Sequence, residues 1–127
     1  MAAAMIGAVQ TDPTWRAAVF RAELAAEVRA EDTLGRWGGE EFLALLPNTD
    51  ERASIQVAER IRKAACRDPI ELVDEHTLQV TVSIGCATSV GPLADLLSRA
   101  DKALYYAKSS GRDRVALNEQ VAANDLS

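Results

Sequence analysis

The stretch from Thr33 to Pro47, TLGRWGGEEFLALLP, sets the tightest limit on the fold. It reads as strand, turn, strand, with Gly38-Gly39 at the bend, because successive glycines reach positive φ without a Cβ penalty. Along the second strand Phe42, Ala44 and Leu46 alternate with Leu43 and Leu45, so both faces are apolar. A strand of that kind has to be covered on both sides. The hairpin therefore belongs inside a sheet, with only its tip exposed. Burial does not account for the two adjacent glutamates, Glu40 and Glu41, that follow the glycines.

The remaining elements are consistent with such a sheet. Asp12 suits an N-cap and Pro13 the first helical position, and Trp15, Ala18, Val19, Ala22, Ala25 and Ala26 recur at helical spacing, so a helix is predicted over 13–30. A second helix, over 51–66, gathers Ala53, Val57, Ala58, Ile61, Ala64 and Ala65 on one stripe. Over 78–88, Leu78, Val80, Val82, Ile84 and Cys86 point one way and Gln79, Thr81, Ser83 and Gly85 the other, which predicts a strand packed on the core by one face. Residues 70–74 are its expected hairpin partner. Pro92 opens a last helix whose Leu93, Leu96, Leu97, Ala100, Leu104 and Ala107 keep the helical period until Gly111 ends it as C′ residue. A short strand over 113–117 and a frayed polar tail over 118–127 follow. The order predicts an α+β fold: antiparallel strand pairs covered by segregated helices, in a single domain over 1–127.

Composition narrows the function. With 127 residues, 48% of them apolar and only 5% aromatic, one core built on close helix–sheet contacts is expected. A net charge of −5 argues against a nucleic-acid polymer as partner, while small anionic ligands remain open to a few well-placed cations. Cys66 and Cys86 lack C-x-x-C spacing and His76 offers no metal partner at a familiar interval. Two reduced, partly buried thiols and a cytoplasmic protein are the expectation. The apolar opening MAAAMIGAV is far shorter than the roughly 20 residues of a membrane span and lacks a basic leader.

Two readings of the hairpin tip stand side by side. Gly38 and Gly39 can serve only the turn, with solvated glutamates. Alternatively, the missing side chains let a nucleotide's phosphates approach the backbone while adjacent carboxylates hold a divalent metal on them. Lys108 and Arg112, at the end of the last helix, either favour its dipole or meet phosphates. Arg29 and Asp32, taken alone, read as a surface ion pair.

RWGGEEF resembles the signature of GGDEF-domain diguanylate cyclases, with Glu in the third place of the motif. AERIR, VTVSIGCAT and RADKALYYAKSSGRDRV resemble later segments of that family, in its order and spacing, over about Val19 to Val115. The resemblance implies the family's nucleotidyl-cyclase palm-like (ferredoxin-like) fold, shortened at the N-terminus, and bacterial signalling that joins two GTP into cyclic di-GMP with release of pyrophosphate. By position it implies Glu41 as ligand of Mg2+, Glu40 beside the attacking hydroxyl, Gly38 and Gly39 as room for the nucleotide, and Lys108 and Arg112 on the terminal phosphates. Arg29 and Asp32 match the family's Arg-x-x-Asp product-inhibition site for cyclic di-GMP. Arg60 matches the position from which a neighbouring domain reaches the same ligand, so a homodimer is implied.

The first 18 residues depart from that pattern. An LTGLxNR start, a first-strand Asp on the metal and the guanine readers of FKxxNDxxGHxxGD are all missing. The stretch AAAMIGAVQTD, residues 2–12, could replace the first, central strand, which puts a residue near Gly7 in the metal-ligand place. Weak or no turnover is therefore expected of this chain. The alternative is a degenerate domain that binds cyclic di-GMP, or only dimerises, without catalysis.

Overall fold

The computed structural model describes residues 1–10, 28–36, 41–67, 70–71, 77–78 and 81–118. In chain order its elements are β1 (Ala2–Gln10), β2 (Thr33–Arg36), β3 (Glu41–Pro47), α1 (Glu51–Arg67), β4 (Ile70–Glu71), β5 (Thr77–Leu78), β6 (Thr81–Ser89), α2 (Leu93–Ser109) and β7 (Val115–Leu117). Residues 11–27, the hairpin tip 37–40, His76 and the tail 119–127 lie outside the described residues, as does the Cys66 side chain.

Five strands form one sheet in the order β2-β3-β1-β6-β7. The alanine-rich opening is its central strand: β1 runs antiparallel to β3, with Ala8 opposite Glu41, and antiparallel to β6, with Gly7 opposite Ile84. Residues 3–8 of β1 are buried throughout, which is why they are small or apolar on both faces. β2 and β3 pair antiparallel as the strand, turn, strand reading requires, from Thr33 opposite Leu45 to Arg36 opposite Phe42.

Each face of the sheet carries a helix. On one, Ala58, Ile61 and Ala65 of α1 pack with Ala3, Met5, Phe42, Ala44, Leu46, Val82, Ile84 and Cys86. On the other, Leu96, Ala100 and Leu104 of α2 pack with Ala4, Ile6, Ala8 and Ala87. The close approach of α2 depends on Gly85, where an added Cβ would come within 2.1 Å of the Leu104 backbone nitrogen and 2.4 Å of the Ala100 carbonyl oxygen. Ala100, Ala103 and Ala107 present the matching small surface, and all are fully buried.

Four expectations need correction. The sheet is mixed, because β7 returns parallel to β6 after crossing over with α2. The strand over 81–89 is buried on both faces, not one: Ser83 and Gly85 lie under α2 instead of in solvent. The strand expected over 78–88 is divided: its first residue, Leu78, makes the expected antiparallel pairing with Ile70 in a separate two-stranded sheet, while β6 over 81–89 pairs with β1 and β7 instead. Both edges of β6 are occupied by β1 and β7, so no edge remains for a third partner. The helix predicted to reach Ala30 does not include residues 28–30, which form a bend and turn closed by the Asp32 N–H donating to the Arg29 carbonyl at 3.1 Å.

The ends of the two helices fix the loops around them. At the start of α1, Asp50 accepts from the Ala53 N–H at 2.8 Å, and Asn48 takes the positive φ of 52° that the preceding turn requires. At the end of α2, Gly111 has φ 114° and the Arg112 N–H donates to the Ala107 carbonyl at 3.0 Å, closing the helix as the glycine signal predicts.

Candidate active site and ligand sites

Glu41 begins β3 and its side chain shares the α2 side of the sheet with Leu43 and Leu45. Lys108 lies in the last turn of α2, which the Gly85 contact holds close to the sheet. The fold thereby brings Lys108 Nζ to 3.5 Å from Glu41 Oε1, with both side chains somewhat over a quarter exposed. Two residues singled out separately in the sequence thus form one charged pair at one end of the sheet. Gly38, Gly39 and Glu40, also expected here, lie outside the described residues.

Arg112 is exposed just beyond α2 and adopts φ 62°. The next residue, Asp113, has φ 45°; its N–H donates to the buried Ser83 hydroxyl at 3.0 Å, and its carboxylate accepts from Arg62 of α1 at 3.2 Å. Arg62 also donates to Glu59 at 3.0 Å, and that carboxylate, together with Asp113, raises the guanidinium above its ordinary range despite partial burial. Neither Ser83, Arg62 nor Asp113 was marked by the sequence. Their contacts join positions 30 and 51 residues apart, and no local pattern encodes them.

Arg29 and Asp32 meet as well, in a tight local geometry. The Arg29 backbone N–H donates to Asp32 Oδ2 at 2.7 Å and its Nη2 donates to Asp32 Oδ1 at 3.3 Å. The same Nη2 donates to Thr49 Oγ1 at 2.7 Å and to the Pro47 carbonyl at 3.2 Å, while Nε lies 3.2 Å from Glu31. The Asp32 side chain is only 2% exposed, whereas that of Arg29 is half exposed. A guanine base approaching this turn meets the arginine first and has to replace existing bonds to reach the carboxylate. Thr49, buried to 4% exposure, is the residue the sequence did not mark; it ties the Arg29 turn to the β3–α1 turn. Arg60 is exposed on α1.

The donor set bears directly on metal binding. Beside Glu41 stands Ala8 of β1, and the strand AAAMIGAVQ carries no carboxylate at all. Among the described residues no group of three His, Cys, Asp or Glu side chains could hold a metal. Among the described residues of this end of the sheet the carboxylate is that of Glu41, whose chemistry suits a Mg2+ that arrives on a nucleotide's phosphates. Cys86 takes no part: it is a free, fully buried thiol whose pKa desolvation, aided by Glu59, pushes up to about 12.

Residues 18–114 match the family described as "Diguanylate cyclase, GGDEF domain". The chain belongs to the GGDEF family. Among curated relatives of this GGDEF chain, Diguanylate cyclase A of Treponema denticola is 43% identical over 94 residues, covering 72% of this chain and 25% of the relative. Response regulator PleD of Caulobacter vibrioides is 42% identical over 101 residues, covering 76% of this chain and 22% of the relative. The chain therefore spans about a quarter of the length of the curated relatives it matches.

Among solved structures, diguanylate cyclase SiaD of Pseudomonas aeruginosa, in complex with its activator SiaC, superposes with a TM-score of 0.80 at 32% identity, over 91% of this chain and 49% of that one. The GGDEF domain of DgcB from Caulobacter crescentus, in complex with c-di-GMP, gives 0.81 at 23% identity over 93% of this chain and 78% of that one, a likeness of fold. The α+β fold is thus the GGDEF fold. Cyclases of this family are in general metal-dependent. No helix among the described residues is long and apolar enough to cross a membrane.

Proposed function

We propose that the chain is the GGDEF domain of a bacterial cyclic di-GMP signalling protein that takes GTP at the Glu41–Lys108 end of the sheet, with little turnover of its own. The observation that carries the reading is the Glu41–Lys108 pair, a carboxylate and an ammonium held 3.5 Å apart at the start of β3. Lys108 and Arg112 bind the terminal phosphates as point charge and fork, respectively. Gly38 and Gly39 leave space for the nucleotide against the backbone, and Glu40 stands as the candidate base for the 3′-hydroxyl. Glu41 would hold the Mg2+ carried by the triphosphate, which when bound draws charge off the phosphates. Each 3′-hydroxyl, giving up its proton to the base, attacks the α-phosphate of the other nucleotide as the α–β phosphoanhydride bond breaks and pyrophosphate leaves, so two copies of the domain have to face each other, and a homodimer is the working form. A cytoplasmic place follows from GTP as substrate.

A second reading, cyclic di-GMP reception without catalysis, is favoured by one specific observation: β1 sets Ala8, not a carboxylate, opposite Glu41. In that reading Arg29 and Asp32 hold the ligand, with Arg60 of a second copy closing over it. One pair of experiments addresses both. Incubation with GTP and Mg2+, followed by chromatography of the nucleotides, is expected to yield little cyclic di-GMP; steady accumulation would overturn low turnover. Calorimetric titration with cyclic di-GMP is expected to show saturable binding that Arg29→Ala removes, and unchanged affinity in that variant would overturn the product-site assignment.

A further inference from the structure

We infer that Arg62 of α1, acting through Asp113, is a positioning residue that holds Arg112 ready for a nucleotide's phosphates. The inference rests on the phosphate-binding role proposed for Arg112 and adds what sets its orientation and charge. Residues 111–113 have φ of 114°, 62° and 45° in succession, a left-handed run that glycine adopts freely and an arginine does not. A run of this kind persists only where its surroundings over-determine it.

Here the contacts hold Arg112, Asp113 and Arg114 in turn. Arg112 N–H donates to Ala107 O at 3.0 Å, Asp113 N–H to Ser83 Oγ at 3.0 Å, and Ile84 N–H to Arg114 O at 2.9 Å, so the loop is tied to both α2 and β6. Arg114 Nε donates back to Arg112 O at 3.1 Å. The side-chain tie is Arg62 Nη1 to Asp113 Oδ1 at 3.2 Å, with Arg62 itself anchored by Glu59 at 3.0 Å through Nη2.

Charge gives the tie a second role. A carboxylate next to Arg112 in sequence is poorly placed beside a phosphate: left alone it attracts the arginine's own guanidinium and repels the incoming anion. Arg62 engages that carboxylate from α1, draws it away from Arg112 and offsets its charge. Arg112 is thereby left exposed as a cation. Loss of Arg62 both loosens a strained loop and uncovers a negative charge at the place where an anion is to bind.

The test is a double-mutant cycle read by calorimetric titration of the purified chain with GTP and Mg2+, using wild type, Arg62→Gln, Arg112→Ala and the double variant, with thermal melts to confirm folding. Arg62→Gln is expected to weaken GTP about 5-fold beside an intact Arg112 and less than about 2-fold in the Arg112→Ala background. An equal loss in both backgrounds, or none in either, overturns the positioning role while leaving Arg112 as a phosphate ligand. If Arg112→Ala alone leaves GTP affinity unchanged, the phosphate role itself fails, and the inference with it. Should Arg62→Gln not fold, Arg62→Lys keeps a cation on α1 but loses the guanidinium that spans Glu59 and Asp113, and carries the same cycle. Its expected loss is at least about 2-fold and depends on Arg112; tighter or Arg112-independent binding overturns the inference.

Discussion

The Lys108 ammonium and the Glu41 carboxylate, 67 residues apart in sequence, stand 3.5 Å apart and join the last turn of α2 to the start of β3. Each is the partner the other would exchange for a ligand: the ammonium for phosphate, the carboxylate for a cation. Glu41→Gln is therefore expected to have effects of opposite sign with and without metal. Without Mg2+ it frees Lys108 and should tighten pyrophosphate binding about 3-fold; with Mg2+ it removes the metal's carboxylate and should weaken it. Calorimetry with pyrophosphate under the two conditions reads the sign, and the same direction in both would refute the exchange.

Lys108→Met separates binding from stability. Both members of the pair are partly exposed, so its loss is expected to change unfolding free energy by less than about 1 kcal/mol in urea titrations. GTP affinity should fall about 10-fold in the same protein, as expected for a lost charge-assisted contact. A large stability change with unaltered affinity would mark the pair as structural.

Two glycines offer a comparison of close contacts. At Gly85 an added methyl meets helix backbone at 2.1 Å, which cannot move alone, whereas at Gly7 it meets the ring of Phe42, also at 2.1 Å, which is a side chain. Gly85→Ala is expected to destabilise by about 3 kcal/mol or more, and Gly7→Ala by less, near the usual 1–3 kcal/mol of overpacking. Denaturant midpoints of the two variants test the order.

Thr49 is expected to matter to the Arg29 turn through its hydroxyl alone. Thr49→Val keeps the shape and strands the Arg29 Nη2 bond, at about 1 kcal/mol of stability and a loss of cyclic di-GMP affinity, and Thr49→Ser should restore both. Equal affinities across the three proteins would show that the bond does not hold the arginine for ligand.

Burial pushes the Cys86 thiol up to about 12. In the unfolded chain the same thiol titrates near its ordinary value of 9.0, so between about 9 and 12 the folded state retains a proton that the unfolded state has lost. Stability from this group is complete below 9 and declines as pH rises through that window. In a Cys66→Ser background, native Cys86 is expected to resist a thiol reagent at pH 8 and to react at once in urea; prompt native labelling would contradict its burial.

The sequence disclosed some of this architecture directly and concealed the rest for physical reasons. Alternation along β3 and the Gly111 stop are local signals, and both appear in the structure as expected. The covered second face of β6 was hidden because Ser83 and Gly85 resemble a solvent face. Only a partner element explains them: an alanine-lined α2 seated on Gly85 and a loop N–H on Ser83. The parallel β7 could have been inferred from strand, helix, strand in succession, since a helix-long crossover fits a parallel return. The Arg29–Thr49 and Arg62–Asp113 contacts depend on tertiary placement, and no spacing rule reaches them.

The central position of β1 also governs how the domain is made. On a translating ribosome this strand precedes both of its neighbours, and β6 follows it by most of the domain's length. Its two bare edges and apolar faces stay unpaired until β3 and then β6 emerge, a long-range pairing of the kind that slows folding and exposes nascent chains to aggregation. Quality control during synthesis thus acts most strongly on the strand that the finished domain hides best.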